Sequence, residues 1–422
     1  MRHAIWSIPV VVIGALFSAP LLTVVSSIFF GVGENWAHLA DTVLAEYVIN
    51  SLVLMAGVGA GTLLLGVAGA WLTSVCEFPG RRAFQWMLLL PLAVPAYIIA
   101  YTYTGLLDYA GPVQEALRAA FPGSAGHFPE VRSLPGAVTM FSLVLYPYVY
   151  LLSRAAFLEQ SSVTLEASRS LGYGIWRSFF SVALPLARPA IITGLALALM
   201  ETLADFGTVQ YFGVSTFTTG IFRTWFGLGD ERSATQLSAL LLLFVFALIT
   251  MESYSRRRAR FYQQHARQMR TKRLHLTGAR GALAFATCGV PFLFGFLIPF
   301  VQLVVWSVQT ADTMLDLAFV VLALHSLALA ATTAILALLL ALLLAYGKRL
   351  YPLPLVLAAT RVASMGYAIP GTIIAIGVIL PFAWIDNTVD GFARDTWNFS
   401  TGLLLSGTLF ALVFAYLVRF LA

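Results

Sequence analysis

Glu201 and Asp205 stand four residues apart in an apolar run, so on a helix they share one face. A carboxylate at bilayer depth costs at least about 2.5–3.5 kcal/mol on insertion scales, and it therefore faces protein, a partner or water. Two roles stay open for the pair: lining or gating a polar path, and holding a neighbouring helix. Other chemistry is missing. No glycine-rich phosphate loop ending in Gly-Lys-Ser/Thr occurs, and Gly347-Lys348-Arg349 lacks both the hydroxyl and the upstream glycine. ATP must then be bound by another chain. There is no HExxH or GxSxG, and the six histidines are scattered, which leaves a membrane-embedded hydrolase without support. Cys76 and Cys288 offer neither a disulfide framework nor a metal-ligand spacing and suit small buried apolar positions. The chain is not expected to be an enzyme or to carry a cofactor.

The elements that must hold these residues are membrane spans. Hydrophobic residues make up 59% of the 422 and charged ones 10%, a balance no soluble domain of this size shows. About ten runs reach the roughly 20 apolar residues that cross a hydrocarbon core. The expected fold is an all-α polytopic membrane protein with about ten transmembrane helices in two homologous repeats, the second incomplete. The opening run from Ile5 to Phe30 exceeds the apolar length of a secretory signal and reads as an uncleaved first helix. Net charge is +6, but the basic residues sit at alternate membrane loops rather than on a face for nucleic acid, which is not an expected partner. Arg81, Arg82, Arg154, Arg177, Arg188, Lys348 and Arg349 fall on one side, and Asp108, Asp312, Asp386 and Asp390 on the other. The positive-inside rule then places the N-terminus in the cytoplasm.

About nine basic residues between Arg256 and Arg280, with no acid among them, read as a linker and topology anchor beside anionic lipid. They divide the chain into a first repeat with six spans (1–253), a cytoplasmic linker (254–280) and a second repeat (281–422). Asn50, Pro79 and Pro95 correspond to His325, Pro354 and Pro370, each pair 275 positions apart, and Pro20 and Pro299 sit inside the two opening spans. Gly57, Gly59, Gly61, Gly66 and Gly69 crowd the second run, where small residues let helix backbones approach.

Between the fourth and fifth spans the stretch Glu166–Pro185, EASRSLGYGIWRSFFSVALP, has a spacing that lipid does not explain. Ser161 and Ser162 can cap a short helix whose first turns hold Glu166. Gly172 and Gly174 are expected to take the positive φ that turns the chain, and Ile175, Phe179, Val182 and Leu186 recur at near-helical spacing. Glu166, Ala167, Ser168, Gly172, Val182, Leu184 and Pro185 match the residue types and both gaps of the EAA loop in permease subunits of binding-protein-dependent ABC transporters, with Ser168 for the second alanine as the one departure. The chain resembles that family. The resemblance implies that this loop is a coupling helix seated in a groove of cytoplasmic ABC ATPase subunits. It also implies an inner-membrane location and delivery of substrate by a periplasmic binding protein.

Two further stretches, Glu201–Gly213 with Thr216–Gly220, and Pro91–Pro112, resemble the duplicated ferric-iron permeases. Hard Fe³⁺ prefers oxygen donors, which adds Tyr97 and Tyr101 to Glu201 and Asp205 as candidates for the path. Aromatics in spans also serve as packing and interfacial anchors, the preferred role for the tyrosines. A dedicated metal site is not required when a binding protein delivers the substrate. Thiamine, polyamine and sulfate permeases share the loop, and a secondary transporter is a further alternative. Duplicated permeases of this kind present two coupling loops. The second is expected beyond Ala422, so the sequence reads as a fragment or as one of two chains.

Overall fold

The computed structural model describes residues 2–121, 128–160, 168, 170–258 and 273–421. In chain order its principal helices are α1 (Arg2–Ser26), α2 (Leu44–Val75), α3 (Arg81–Met87), α4 (Ala96–Leu107), α5 (Leu134–Glu159), α6 (Leu184–Ala204), α7 (Glu231–Arg258), α8 (Gly278–Phe292), α9 (Ile298–Met314), α10 (Leu317–Leu350), α11 (Pro354–Ala363), α12 (Gly371–Trp397) and α13 (Leu409–Phe420). Among the described residues eight segments are long and apolar enough to cross a bilayer, or nine if a bent pair is one span. The bent pair is Arg81–Ala93 with Ala96–Ala120, turned by 89°. Its break has a local cause, because Val94, which precedes Pro95, is extended at φ −116 and ψ 126, the backbone that the proline ring imposes on its neighbour. With this pair and the shorter apolar helix α13, the ten apolar runs of the sequence are accounted for.

Two compact units make up the chain. One contains Glu46–Thr219 and Phe246–Val308. Its centre is α5, where Phe141, Tyr146, Val149 and Tyr150 are fully buried. The glycines of α2 meet it: a Cβ on Gly61 would stand 2.1 Å from the Ser142 hydroxyl, and one on Gly66 would stand 2.9 Å from backbone atoms of Tyr146 and Tyr150. Gly194 of α6 approaches the backbone at Val149 in the same way. Only hydrogen in place of a side chain allows such proximity, and without a hydrophobic drive in lipid, this packing is what joins the helices. α8 lies on α3, and the π-helical turn Leu293–Leu297 lies on α5.

The same unit holds the one strand pair among the described residues. Cys76 and Glu77, just past α2, run parallel to Leu274 and His275, just before α8. Glu77 is bonded by Arg81 at 3.0 Å and Arg273 at 3.4 Å. Partial burial raises the Glu77 carboxyl, but the two guanidinium groups outweigh it and hold the group below its ordinary value. The end of the basic segment is thus tied to the loop after α2, while Arg260, Arg267, Arg270 and Lys272 lie outside the described residues.

The second unit contains Met1–Ala45, Gly220–Val245 and Gln309–Ala422. α1 packs on α10, α11 and α12. A Cβ on Gly377 would stand 2.4 Å from the Pro20 carbonyl, and one on Gly14 2.6 Å from the Ala359 side chain. Each unit therefore takes its added helix from the other part of the sequence, α1 lying on α11 and α12 here and α8 on α3 in the first unit. Asp386 and Asp390, placed in an outer loop from the sequence, belong to α12 instead. The Asp386 carboxylate accepts bonds from the backbone N–H groups of Leu404, Leu405 and Ser406 and from the Ser406 hydroxyl. Asp390 accepts from Thr401 N–H and the Ser400 hydroxyl. The helix runs on past its apolar part because these carboxylates satisfy the amides of the returning chain.

Local structure recurs at the 275-residue offset. Pro95 has φ −55 and ψ 140, Pro370 has φ −53 and ψ 140, and each opens a helix after a 3₁₀ turn, Leu90–Ala93 and Gly366–Ala368.

Candidate functional site

The loop between α5 and α6 is built from its two stems inward. α5 ends at Glu159, and the chain leaves it through Gln160 at φ −61 and ψ 125. Glu166 and Ala167, with Ser161 and Ser162, lie outside the described residues. Ser168 is buried, its hydroxyl 2.8 Å from that of Ser178, and its carbonyl accepts from Tyr173 N–H at 3.1 Å. Gly172 turns the chain at φ +83, with no atom of the described residues within 4 Å of the place a Cβ would take. Gly174 does not share this role, contrary to the sequence expectation. It is extended at φ −66 and ψ 166 and caps the short helix Ile175–Ser178, since Gly172 alone completes the turn.

A π-helical turn, Phe179–Ala183, follows before α6 begins at Leu184 and Pro185. The cause is in the sequence. Pro185 has no N–H for the Ser181 carbonyl and its ring crowds that oxygen, so the wider turn upstream relieves the clash. The turn Leu293–Leu297 stands in the same relation to Pro299. There the Tyr103 hydroxyl donates to the Phe294 carbonyl.

On the outside of this loop Leu171 is 77% and Trp176 72% exposed, and Phe180 stacks on Trp176 with ring centroids 6.4 Å apart. The Arg177 guanidinium lies 4.3 Å from the centroid of the Tyr173 ring. Val182 and Leu184 are half-buried and Pro185 is exposed. Large apolar side chains beside an open glycine turn make a surface suited to a protein groove.

At the far end of α6 the sequence pair separates. Glu201 stays in the last turn, but Asp205 is not on its helical face: α6 stops at Ala204, and Asp205 is extended at φ −76 and ψ 129. Its carboxylate accepts from Thr208 N–H at 2.7 Å and from the Thr208 hydroxyl at 2.9 Å, which starts the short helix Gly207–Tyr211. Capping ended the helix where the four-residue spacing had continued it. The structure does bring this turn to the tyrosines. A Cβ on Gly207 would stand 2.9 Å from Tyr97, and Tyr101 stacks edgewise on Tyr211 at 5.9 Å and lies 5.5 Å from Trp306. Tyr97 and Tyr101 are half exposed.

Sequence reasoning missed Tyr211, Trp306 and Thr208 in this cluster. It also missed Glu252, buried in α7, which accepts from the Thr193 hydroxyl of α6 at 3.0 Å. A lone acid in the apolar run before Arg256 was the available signal.

Residues 62–260 match the family described as "Binding-protein-dependent transport system inner membrane component". The chain is 24% identical over 386 residues to the "Fe(3+)-transport system permease protein FbpB 2" of Haemophilus influenzae, covering 90% of this chain and 72% of that protein. It is 34% identical over 173 residues to the "Molybdenum transport system permease protein ModB" of Escherichia coli, covering 41% of this chain and 71% of the relative. It is 26% identical over 226 residues to the "Putative 2-aminoethylphosphonate transport system permease protein PhnU" of Salmonella choleraesuis, covering 52% of this chain and 79% of that protein.

Proposed function

Because the chain belongs to the family of binding-protein-dependent transport system inner membrane components, and is therefore a multi-pass permease of an ABC importer, we propose that it moves ferric iron and takes its driving force through residues 160–185. The observation that carries the coupling role is the exposed apolar surface of Leu171, Trp176 and Phe180 on a turn made by Gly172. A cytoplasmic ABC ATPase receives that surface, and a periplasmic binding protein delivers the substrate. The N-terminus faces the cytoplasm, which puts the loop on the side where ATP is hydrolysed.

Substrate choice rests on a ferric permease matched over 90% of the chain and on oxygen donors at the outer end of α6. The carboxylates of Glu201 and Asp205 and the phenols of Tyr97 and Tyr101 border the path; they do not chelate, since a permeating ion must be released. The higher identity to a molybdenum permease favours an oxyanion as the second reading. The basic segment 254–280 joins two permease repeats.

Replacing Glu166 and Gly172 together should abolish uptake and weaken co-purification of the ATPase while membrane insertion persists. Unchanged uptake in that double variant sinks the coupling role. Uptake of radioactive iron, competed by excess molybdate, separates the two substrates.

A further inference from the structure

The loop between α5 and α6 is closed at its base by two independent contacts. The first is polar: the Gln160 side-chain amide, at the exit of α5, donates to the Ala183 carbonyl at 2.9 Å, across 23 residues of chain. The second is aromatic. Trp71 of α2 packs against Phe157 of α5 with ring centroids 5.5 Å apart and against Phe179 of the π turn at 4.8 Å, while Phe157 and Phe179 are 6.3 Å apart. All three rings are buried, each 9% exposed or less. Both contacts join the end of α5 to the π turn that leads into α6.

A loop on slack stems absorbs a push by bending where it joins its helices. Here the stems are pinned to each other, and the wide turn that Pro185 imposes is held from α5 by Gln160 and from α2 by Trp71. A displacement of the loop is therefore shared by α5 and α6. These two helices are packed glycine to backbone at Gly194, so they move together rather than slide.

We propose that Gln160 and the triad Trp71, Phe157 and Phe179 form a rigid neck through which movement of the coupling loop passes into the membrane helices, with Gln160 as a positioning residue acting through the Ala183 carbonyl. The proposal rests on the coupling role given above for residues 160–185. A single hydrogen bond of this kind shifts a two-state balance about five- to tenfold, which sets the size of the effect.

The experiment uses the full chain assembled with its ATPase, with spin labels at the exposed positions Leu151 of α5 and Leu243 of α7 and with vanadate-trapped ATP as the probe. The wild-type complex should show a label separation that changes on trapping. Gln160→Glu keeps the size of the side chain but, ionised at neutral pH, has no donor for Ala183. It should hold the ATPase at wild-type stoichiometry and lose about fivefold of the shifted population. Gln160→Lys, which restores a donor, should recover most of it. A full shift in Gln160→Glu overturns the neck, as does equal failure of Gln160→Lys and Gln160→Glu. Should the wild-type chain retain no ATPase, the coupling reading itself falls, and the neck with it.

Discussion

Asp230 shows how one carboxylate organises a polar turn beside a span. It accepts from Ser233 N–H at 2.9 Å and the Ser233 hydroxyl at 2.7 Å, which caps α7, and from Asn35 N–H at 2.9 Å, which ties down the loop after α1. Burial raises its carboxyl, yet these bonds prevail and hold it at about 2, below its ordinary 3.8. A lowered native value stabilises the fold fully above 3.8, and that contribution fades as pH falls through about 2. Asp230→Asn should therefore melt lower than wild type near neutral pH in detergent, with the gap closing as the pH approaches 2. A gap that widens on acidification contradicts this assignment. The residue was not singled out in the sequence, because nothing in a lone aspartate tells which amides it will meet. Asp205 illustrates the same limit. Its spacing from Glu201 was legible, but the Thr208 bonds that end the helix were not.

At the scale of elements, the glycines separate into those that admit a neighbour and those that shape a turn. Gly66→Ala would set a methyl 2.7 Å from the Val149 side chain and 2.9 Å from backbone, forcing α2 off α5 at a cost of about 1–3 kcal/mol. Among the described residues Gly174→Ala meets nothing within 4 Å, and it keeps an allowed φ of −66, so it should change stability by less than about 0.5 kcal/mol. Thermal melting of the two variants in detergent checks the contrast, and equal melting temperatures contradict the packing argument. The glycine crowding of α2 was readable in advance because small residues mark close approach. That α5 is the partner was not, since no pattern in α2 names the helix it meets. The π turns Phe179–Ala183 and Leu293–Leu297 were equally hidden, although Pro185 and Pro299 explain them once seen.

For the whole molecule, the composition of the two units matters most. α1 packs on α10, α11 and α12, which follow it by some 300 residues. Deleting residues 1–30 should leave α11 and α12 without their cover and make the segment 351–408 sensitive to protease in membrane vesicles, while 134–204 remains resistant. Equal resistance of both segments would contradict the packing of α1 on α11 and α12. The ten apolar runs and the matching prolines at the 275 offset were evident from hydropathy and turn chemistry. The exchange of α1 and α8 between the parts of the chain was not, because every apolar helix surface suits lipid as well as protein.

The sequence by itself determined what is local: which segments prefer hydrocarbon to water, where proline and glycine bend the backbone, and the spacing by which residues 166–185 match the EAA loop. The tertiary structure decided what depends on distant groups. Trp71 and Gln160 close the loop from outside its motif, Asp386 turns an expected loop acid into an anchor for residues 404–406, and Asp205 accepts from Thr208 where α6 ends. The physical reason is common to all three. Partition and backbone sterics act along the chain, whereas hydrogen bonds and ring contacts form only when folding brings their partners within a few ångströms.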